Sequence, residues 1–130
     1  MKSGSIILKE VIGLSNVLLS KPSEDLKSIS LRGGIYLIKR DGKIIYVGKA
    51  KNLSRRINSD HISGEIKNTT STVRRKVTKK LGIPHGKSLR QWMSECNFST
   101  LEIIDPDTRT LVESYIIYFL RNKGEPLLND

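Results

Sequence analysis

The sequence predicts an α+β domain in which a three-stranded antiparallel sheet is flanked by helices, and three observations predict it. Two apolar segments, Ile35 to Ile38 and Ile44 to Val47, are joined by Lys39-Arg40-Asp41-Gly42-Lys43, and Asp-Gly between β-forming residues is a hairpin signal. Phe98 to Ile104 alternates and branches like a third strand. Asp105-Pro106 then supplies an N-cap and a proline at the first helical position, opening a largely apolar helix to about Asn122 with Gly124 as its stop. The expected strands are Gly34 to Lys39, Lys43 to Gly48 and Phe98 to Ile104. A chain of 130 residues suits one compact domain. Within it, residues 1–32 form an N-terminal helical extension and residues 33–130 the main body.

The hairpin loop decides which side chains share a face. A two-residue Asp41-Gly42 turn pairs Arg40 with Lys43 and, by the period of two, sends Tyr36 and Tyr46 to opposite faces. A three-residue loop, with Gly42 left-handed in a bulge, pairs Lys39 with Lys43 and stands Tyr36 opposite Tyr46. We prefer the second. It sorts the ribbon into one aliphatic face, Ile35, Leu37, Ile45 and Val47, and another carrying Tyr36, Ile38, Ile44 and Tyr46, so that one face buries while two phenols converge.

In chain order, Ser5 caps a helix to about Leu19, with Ile7, Val11, Leu14 and Leu18 on one stripe and Ile6, Ile12 and Val17 widening it. Pro22 breaks it, and Ser23 caps a short turn through Lys27. Asn52 caps a helix from Leu53 to about Asp60 that carries Arg55 and Arg56, and Ser63-Gly64 ends that region. Ser71 or Thr72 caps a helix closed by Gly82, with Val73, Val77 and Leu81 inward. Ser88 caps a helix through Glu95 that buries Leu89 and Trp92, the latter read as a core anchor in preference to a base-stacking platform.

Twenty-three Lys and Arg against thirteen Asp and Glu give a formal charge of +10, which favours a polyanionic partner. No run of about eighteen apolar residues is present to span a membrane. The segment Ile6 to Leu19 is short, contains Lys9 and Glu10, and lacks a small-residue cleavage site, so it does not read as a signal peptide. One cysteine, Cys96, excludes an intramolecular disulfide framework and a cysteine-rich zinc module, leaving the reducing cytoplasm as the expected location. From Lys67 to Ser94 there is no acidic residue. Arg74, Arg75, Lys76, Lys79 and Lys80 then ring the helix of that segment outside its apolar stripe. With Lys51 and Arg55 they are candidates for phosphate contact, against the alternative of a solvated basic face.

Gly34-Ile35-Tyr36 followed by Tyr46-Val47-Gly48 resembles the signature of the GIY-YIG nucleases. Lys49-Ala50-Lys51-Asn52-Leu53 with Arg56 is similar to the continuation in bacterial excision-repair members, and Glu113 and Pro126-Leu127-Leu128-Asn129 resemble the family's metal-binding Glu and terminal Asn. The resemblance covers roughly Gly33 to Asp130 and implies a DNA endonuclease of repair, restriction or homing type that uses Mg2+ or Mn2+. It further implies one-metal phosphodiester hydrolysis, in which a tyrosine helps deprotonate water, Arg56 steadies the transition state and Glu113 holds the metal. Tyr36 is favoured as the base with Tyr46 as its partner, and Lys49, Asn129 and His61 complete the candidate catalytic set. One metal site cuts one strand, so a double-strand break needs a homodimer, a higher oligomer or two visits. A DNA-targeting partner protein is also compatible with the chain, whereas a membrane partner is not expected.

Alternatives stand beside that reading. From pattern alone Glu113 is either a metal ligand or the distal half of a Thr110-x-x-Glu113 capping box. A phenol with a pKa of about 10 is ionised in only about one molecule in a thousand near neutral pH, so it needs nearby cations such as Arg56 and Lys49. The family often has His or Tyr four residues after the Arg, but here that place is Asp60. His61 follows at five, and because one residue turns a helix by about 100° it reaches the site only if the helix has ended or bulged. His85 reads as a surface residue. A catalytically silent nucleic-acid-binding module and an RNA-directed nuclease are the competing functions, and the complete set of Tyr36, Tyr46, Arg56, Glu113 and Asn129 argues against silence.

Overall fold

Strand β1 (Gly34–Arg40) is central. In the computed structural model, which describes residues 4–62 and 72–129 apart from the side chains of Ser5, Ile6, Asp60 and Ile62, it pairs antiparallel with β2 (Lys43–Ala50) and β3 (Asn97–Glu102). The expected helix stop at Ser63-Gly64, the start of the acid-free segment at Lys67 and the Ser71 cap lie outside the described residues. Alternation along β1 builds two cores. Ile35 and Leu37, with Val47 of β2, pack against α1 (Gly4–Ser20) and α4 (Pro106–Asn122). Tyr36 and Ile38 face a layer made of a π-helix (Arg55–Ile62), α2 (Thr72–Leu81) and α3 (Lys87–Ser94). Among the described residues no helix is long and apolar enough to cross a membrane.

The hairpin corrects the expected loop. Asp41 (φ 53°) and Gly42 (φ 75°) are both left-handed, the signature of a two-residue type I′ turn, and Arg40 pairs with Lys43. The phenols nevertheless share a face, because the register shifts between Ile38 and Lys39: Lys39 pairs with Ile44 and Ile38 with Tyr46, leaving Ile45 as an extra residue on β2. Tyr36 therefore stands opposite Gly48, with Tyr46 on the diagonal. The bulge also exchanges the two isoleucines. Ile45 is buried with Tyr36 and Tyr46, while Ile44 packs against the aliphatic core.

Both edges of the sheet are covered. Leu128 N–H donates to the Ile45 carbonyl (2.6 Å) on the outer side of β2. Along β3, Glu24 accepts from the Thr100 N–H (2.7 Å) and hydroxyl (2.8 Å), and its own N–H donates to the Phe98 carbonyl (2.8 Å). These segments occupy ladder positions that would otherwise pair with another chain.

Helix ends follow capping chemistry, with differences in detail. Asn52 Oδ1 accepts from Arg55 N–H (3.0 Å) and Asp105 Oδ2 from Thr108 N–H (2.8 Å), as expected of those caps. Asp25, not Ser23, caps the 3-10 turn Leu26–Ser28, and α3 begins after Gly86 without a side-chain cap from Ser88. On α1, Val11 and Leu18 are buried but Ile7 and Val17 are exposed, and Leu81 at the end of α2 is also exposed. The turn yields a direct prediction. Gly42→Ala places a Cβ in the left-handed region and is expected to destabilise the domain by ~1 kcal/mol in urea unfolding; unchanged stability would contradict the type I′ geometry.

Candidate active site

The buried phenol of Tyr36 crosses β2 at Gly48. A Cβ built on Gly48 would overlap the Tyr36 ring and hydroxyl, so the residue after Val47 must lack a side chain for the phenol to lie there. Tyr46 lies beside it, with ring centroids 6.3 Å apart. The third aromatic is His61, whose ring lies 5.4 Å from Tyr36 and 6.5 Å from Tyr46, and Tyr36 Oη is hydrogen-bonded to His61 Nε2 at 2.6 Å.

His61 reaches the phenols because the segment after Asn52 is wound wider than an α-helix. A π-helix, bonded i→i+5, turns less per residue than an α-helix, so a residue five positions on, which an α-helix turns far from the first, comes back toward its face. The spacing from Arg56 to His61 is five, and both residues lie in the π-helix Arg55–Ile62. Ile57 within it and Leu53 just before it, both fully buried, anchor this segment to the Tyr36 core. Its C-terminal end is held by Arg74, whose Nη1 donates to the His61 carbonyl (2.6 Å). This corrects the expectation for Arg74: it is 4 % exposed and faces inward, and burial lowers its pKa with a further contribution from Arg90.

Burial, then the charges of Arg56 and Arg74, push the His61 pKa down to about 3, so its imidazole is neutral at physiological pH. A neutral ring has one donor and one acceptor nitrogen. Nε2–H can therefore donate to a Tyr36 phenolate, or Nε2 can accept from the phenol.

At the far end of β2, Lys49 Nζ donates to Thr110 Oγ1 (2.9 Å) on α4, one turn before Glu113. Glu113 is half-buried, and burial raises its pKa against the opposing influence of Lys49. The Asp105 cap removes the capping-box alternative, since Thr110 lies inside α4 and not at its start. Among the described residues no group of three or more His, Cys, Asp and Glu side chains is gathered for a metal ion. A half-buried carboxylate on its own still fits Mg2+, which is commonly held by one or two carboxylates with water and substrate phosphate.

Asn129 grips the edge of β2 through both ends of its amide: Oδ1 accepts from Val47 N–H (3.0 Å) and Nδ2 donates to Val47 O (2.8 Å). It thereby fixes the backbone between Tyr46 and Gly48. Sequence reasoning missed Arg109, which donates to the carbonyls of Ile103 (2.7 Å), Ile104 (2.7 Å) and Ala50 (3.3 Å), tying the exits of β3 and β2 to α4. The signal available for it was its place in the first turn of a helix that directly follows a strand. Arg75 and Lys79 lie exposed on α2, Lys76 is partly exposed, and Lys80 is exposed while donating to the Leu128 carbonyl (2.9 Å). Lys51 and Arg55 are exposed near the start of the π-helix.

A family model described as the GIY-YIG catalytic domain matches residues 32–125. UvrABC system protein C of Flavobacterium johnsoniae is 52 % identical over 44 residues, which cover 32 % of this chain and 7 % of that protein. The match thus covers less than a tenth of that relative's length. Among solved structures, it is similar to the GIY-YIG N-terminal endonuclease domain of UvrC from Thermotoga maritima bound to magnesium as its catalytic divalent cation (21 % identity, TM-score 0.42, 93 % of this chain and 94 % of that one). A point mutant of the same domain, also bound to its catalytic divalent cation, matches with 21 % identity and TM-score 0.42 over 93 % of each chain.

The depressed His61 pKa has a sign that can be checked. Between its ordinary value of 6.5 and about 3 the unfolded chain binds a proton that the folded chain does not. The contribution is complete above about pH 6.5 and is lost as pH falls toward 3, at up to about 1.4 kcal/mol per pH unit. His61→Gln is therefore expected to lose stability less steeply than the parent between about pH 6 and pH 4 in urea titrations. Parallel slopes would show that His61 does not fold as a buried neutral imidazole.

Proposed function

The chain belongs to the GIY-YIG family of catalytic domains, and on that premise we propose that it is a divalent-metal-dependent DNA endonuclease. The observation that supports this most is the convergence of Tyr36, Tyr46 and His61, with Arg56 contributing to the local field. A packing cluster has no need of a buried, neutral histidine hydrogen-bonded to a phenol. A base for phosphodiester hydrolysis does.

In this reading Tyr36 takes the proton of the attacking water. For that step Tyr36 acts as phenolate: His61 Nε2–H, which a neutral imidazole can offer at neutral pH, donates to Oη until that oxygen takes the water's proton and becomes a phenol. Tyr46 packs beside Tyr36 and orders the water, while Arg56 offers a planar guanidinium to the equatorial phosphate oxygens. Lys49, held by Thr110, sets the potential at Glu113 and Asn129 fixes the strand that presents Tyr46. Glu113 would hold Mg2+ or a similar hard cation, which when bound stabilises the charge that develops on the phosphate and leaving oxygen. The raised Glu113 pKa fits that role, since a nearby divalent charge offsets the cost of ionising a half-buried carboxylate. Phosphate contacts away from the cut fall to Lys51, Arg55, Arg75, Lys76, Lys79 and Lys80. Arg74 is left out of that set because it is committed to His61.

Two measurements test these assignments. Glu113→Gln keeps shape and removes charge, so plasmid nicking in Mg2+ is expected to fall at least ~100-fold, a loss of ~2.7 kcal/mol of transition-state stabilisation, while DNA still binds. Near-normal nicking by that variant would remove Glu113 from the metal role. Arg75→Ala with Lys79→Ala is expected to weaken binding of unrelated duplexes equally and to reduce the slope of log affinity against log salt by about 0.9 per lost contact, with little change in turnover at saturating DNA. Binding unaltered at every salt concentration would return α2 to a solvated face.

A further inference from the structure

A cavity of about 350 Å³ opens at the hairpin end of β2, away from the Tyr36 cluster. Its floor is apolar: Ile45, Leu81, Pro126 and Leu128. One wall is Trp92, with the Arg40 guanidinium 4.4 Å from the centroid of its ring. Arg40 is locked in that position by donating from Nη1 to the Trp92 carbonyl (2.9 Å) and by pairing with Glu95 (3.9 Å). Lys43 and Asp41 stand at the rim.

These features fit no element of the chemistry assigned above. They do match the way proteins hold a base that has left the stack: an arginine plane to lie against, itself stacked on the partly buried Trp92 that anchors it to the core, an apolar floor, and a cation for the adjoining phosphate. The volume is at the small end of ligand pockets, which run from about 300 to 1,000 Å³, and so suits a single planar group more than a peptide segment. The chain's charge of +10 further favours an anionic strand over an apolar protein surface as the occupant. Asp41 adds an acceptor for an exocyclic amine, which cytosine, adenine and guanine carry and thymine lacks.

Position supports the same occupant. Ile45 and Leu128, which line the cavity, are hydrogen-bonded along the β2 edge on which Asn129 grips Val47. At a rise of about 3.3 Å per residue, Ile45 lies only about 10 Å from Gly48, where the Tyr36 phenol crosses the strand. A nucleic-acid strand presented to the site thus passes within reach of the cavity. We propose that this cavity takes one unpaired nucleobase, preferably one with an exocyclic amine, from a DNA strand bound at the active site. The proposal rests on the DNA-endonuclease reading and adds a subsite to it, one that favours DNA with a mismatched, bulged or extruded base over perfect duplex.

Trp92 is the one tryptophan in the chain, so its fluorescence reports on the cavity directly. The experiment titrates the full chain, without added metal, with two duplexes that differ only in one unpaired cytosine, following tryptophan emission and, in parallel, the anisotropy of labelled DNA. The unpaired base is expected to quench emission at least twofold and to bind at least about tenfold tighter, while the perfect duplex binds without that quench. Replacing the unpaired cytosine by thymine should reduce the preference. Leu81→Lys, at an exposed position on the cavity floor, adds a cation but obstructs the space; it should keep or strengthen duplex binding and abolish both quench and preference. Anisotropy that reports binding of both duplexes with unchanged emission would overturn the cavity assignment and leave the endonuclease reading intact. Failure of either duplex to bind, together with failure to nick plasmid in Mg2+, would overturn both.

Discussion

The hydrogen bond between Tyr36 Oη and His61 Nε2 is the contact on which the site's geometry turns. It joins the central strand to the helical layer over it, and each surrounding feature serves to allow it. Gly48 leaves room for the phenol, the bulge at Ile45 returns Tyr46 to the same face, the π-helix turns His61 inward, and Arg74 holds the His61 carbonyl. None of these is favourable in isolation. A π-helix is rare, and a guanidinium buried beside a histidine disfavours charge on both. Their shared consequence is a buried imidazole that stays neutral.

The wider architecture holds that contact still. With β1 in the middle, its odd residues pack on α1 and α4 and its even residues on the helical layer above Tyr36, so the phenol is positioned by both cores at once. The outer edge of β2 would be the loosest part of such a sheet. It is closed by Leu128 and Asn129, whose bonds reproduce a ladder beside Tyr46 and Val47. Arg109 does the same for the strand exits. Hydrogen bonds are thus concentrated along the strand that carries Tyr46 and Gly48.

Much of this was legible in the sequence, and what was not has identifiable causes. The three strands, the long C-terminal helix and its Asp105 cap follow from alternation and capping residues, which are local signals. The shared face of Tyr36 and Tyr46 was legible, but for the wrong loop: a type I′ turn plus a bulge gives the same facing as a three-residue loop, and only the exchange of Ile44 and Ile45 between cores tells them apart. His61 could be stated only as a condition, since nothing in Arg55 to Ile62 announces i→i+5 bonding. Arg74 was misread because a cation in an acid-free run looks solvated until a carbonyl is found in front of it. Gly48, by contrast, was in the motif from the start, and its reason became visible only with the Tyr36 ring across it.

The most direct test of the Tyr36–His61 contact is nitrogen NMR of the histidine side chains, of which the chain has two. His61 is predicted to keep the signals of a neutral imidazole down to about pH 4, well below the value near 6.5 of a free side chain, and its Nε2 resonance should move when Tyr36 is replaced by Phe. A His61 that protonates near pH 6.5, or whose Nε2 signal is indifferent to Tyr36→Phe, would contradict a site built around that bond.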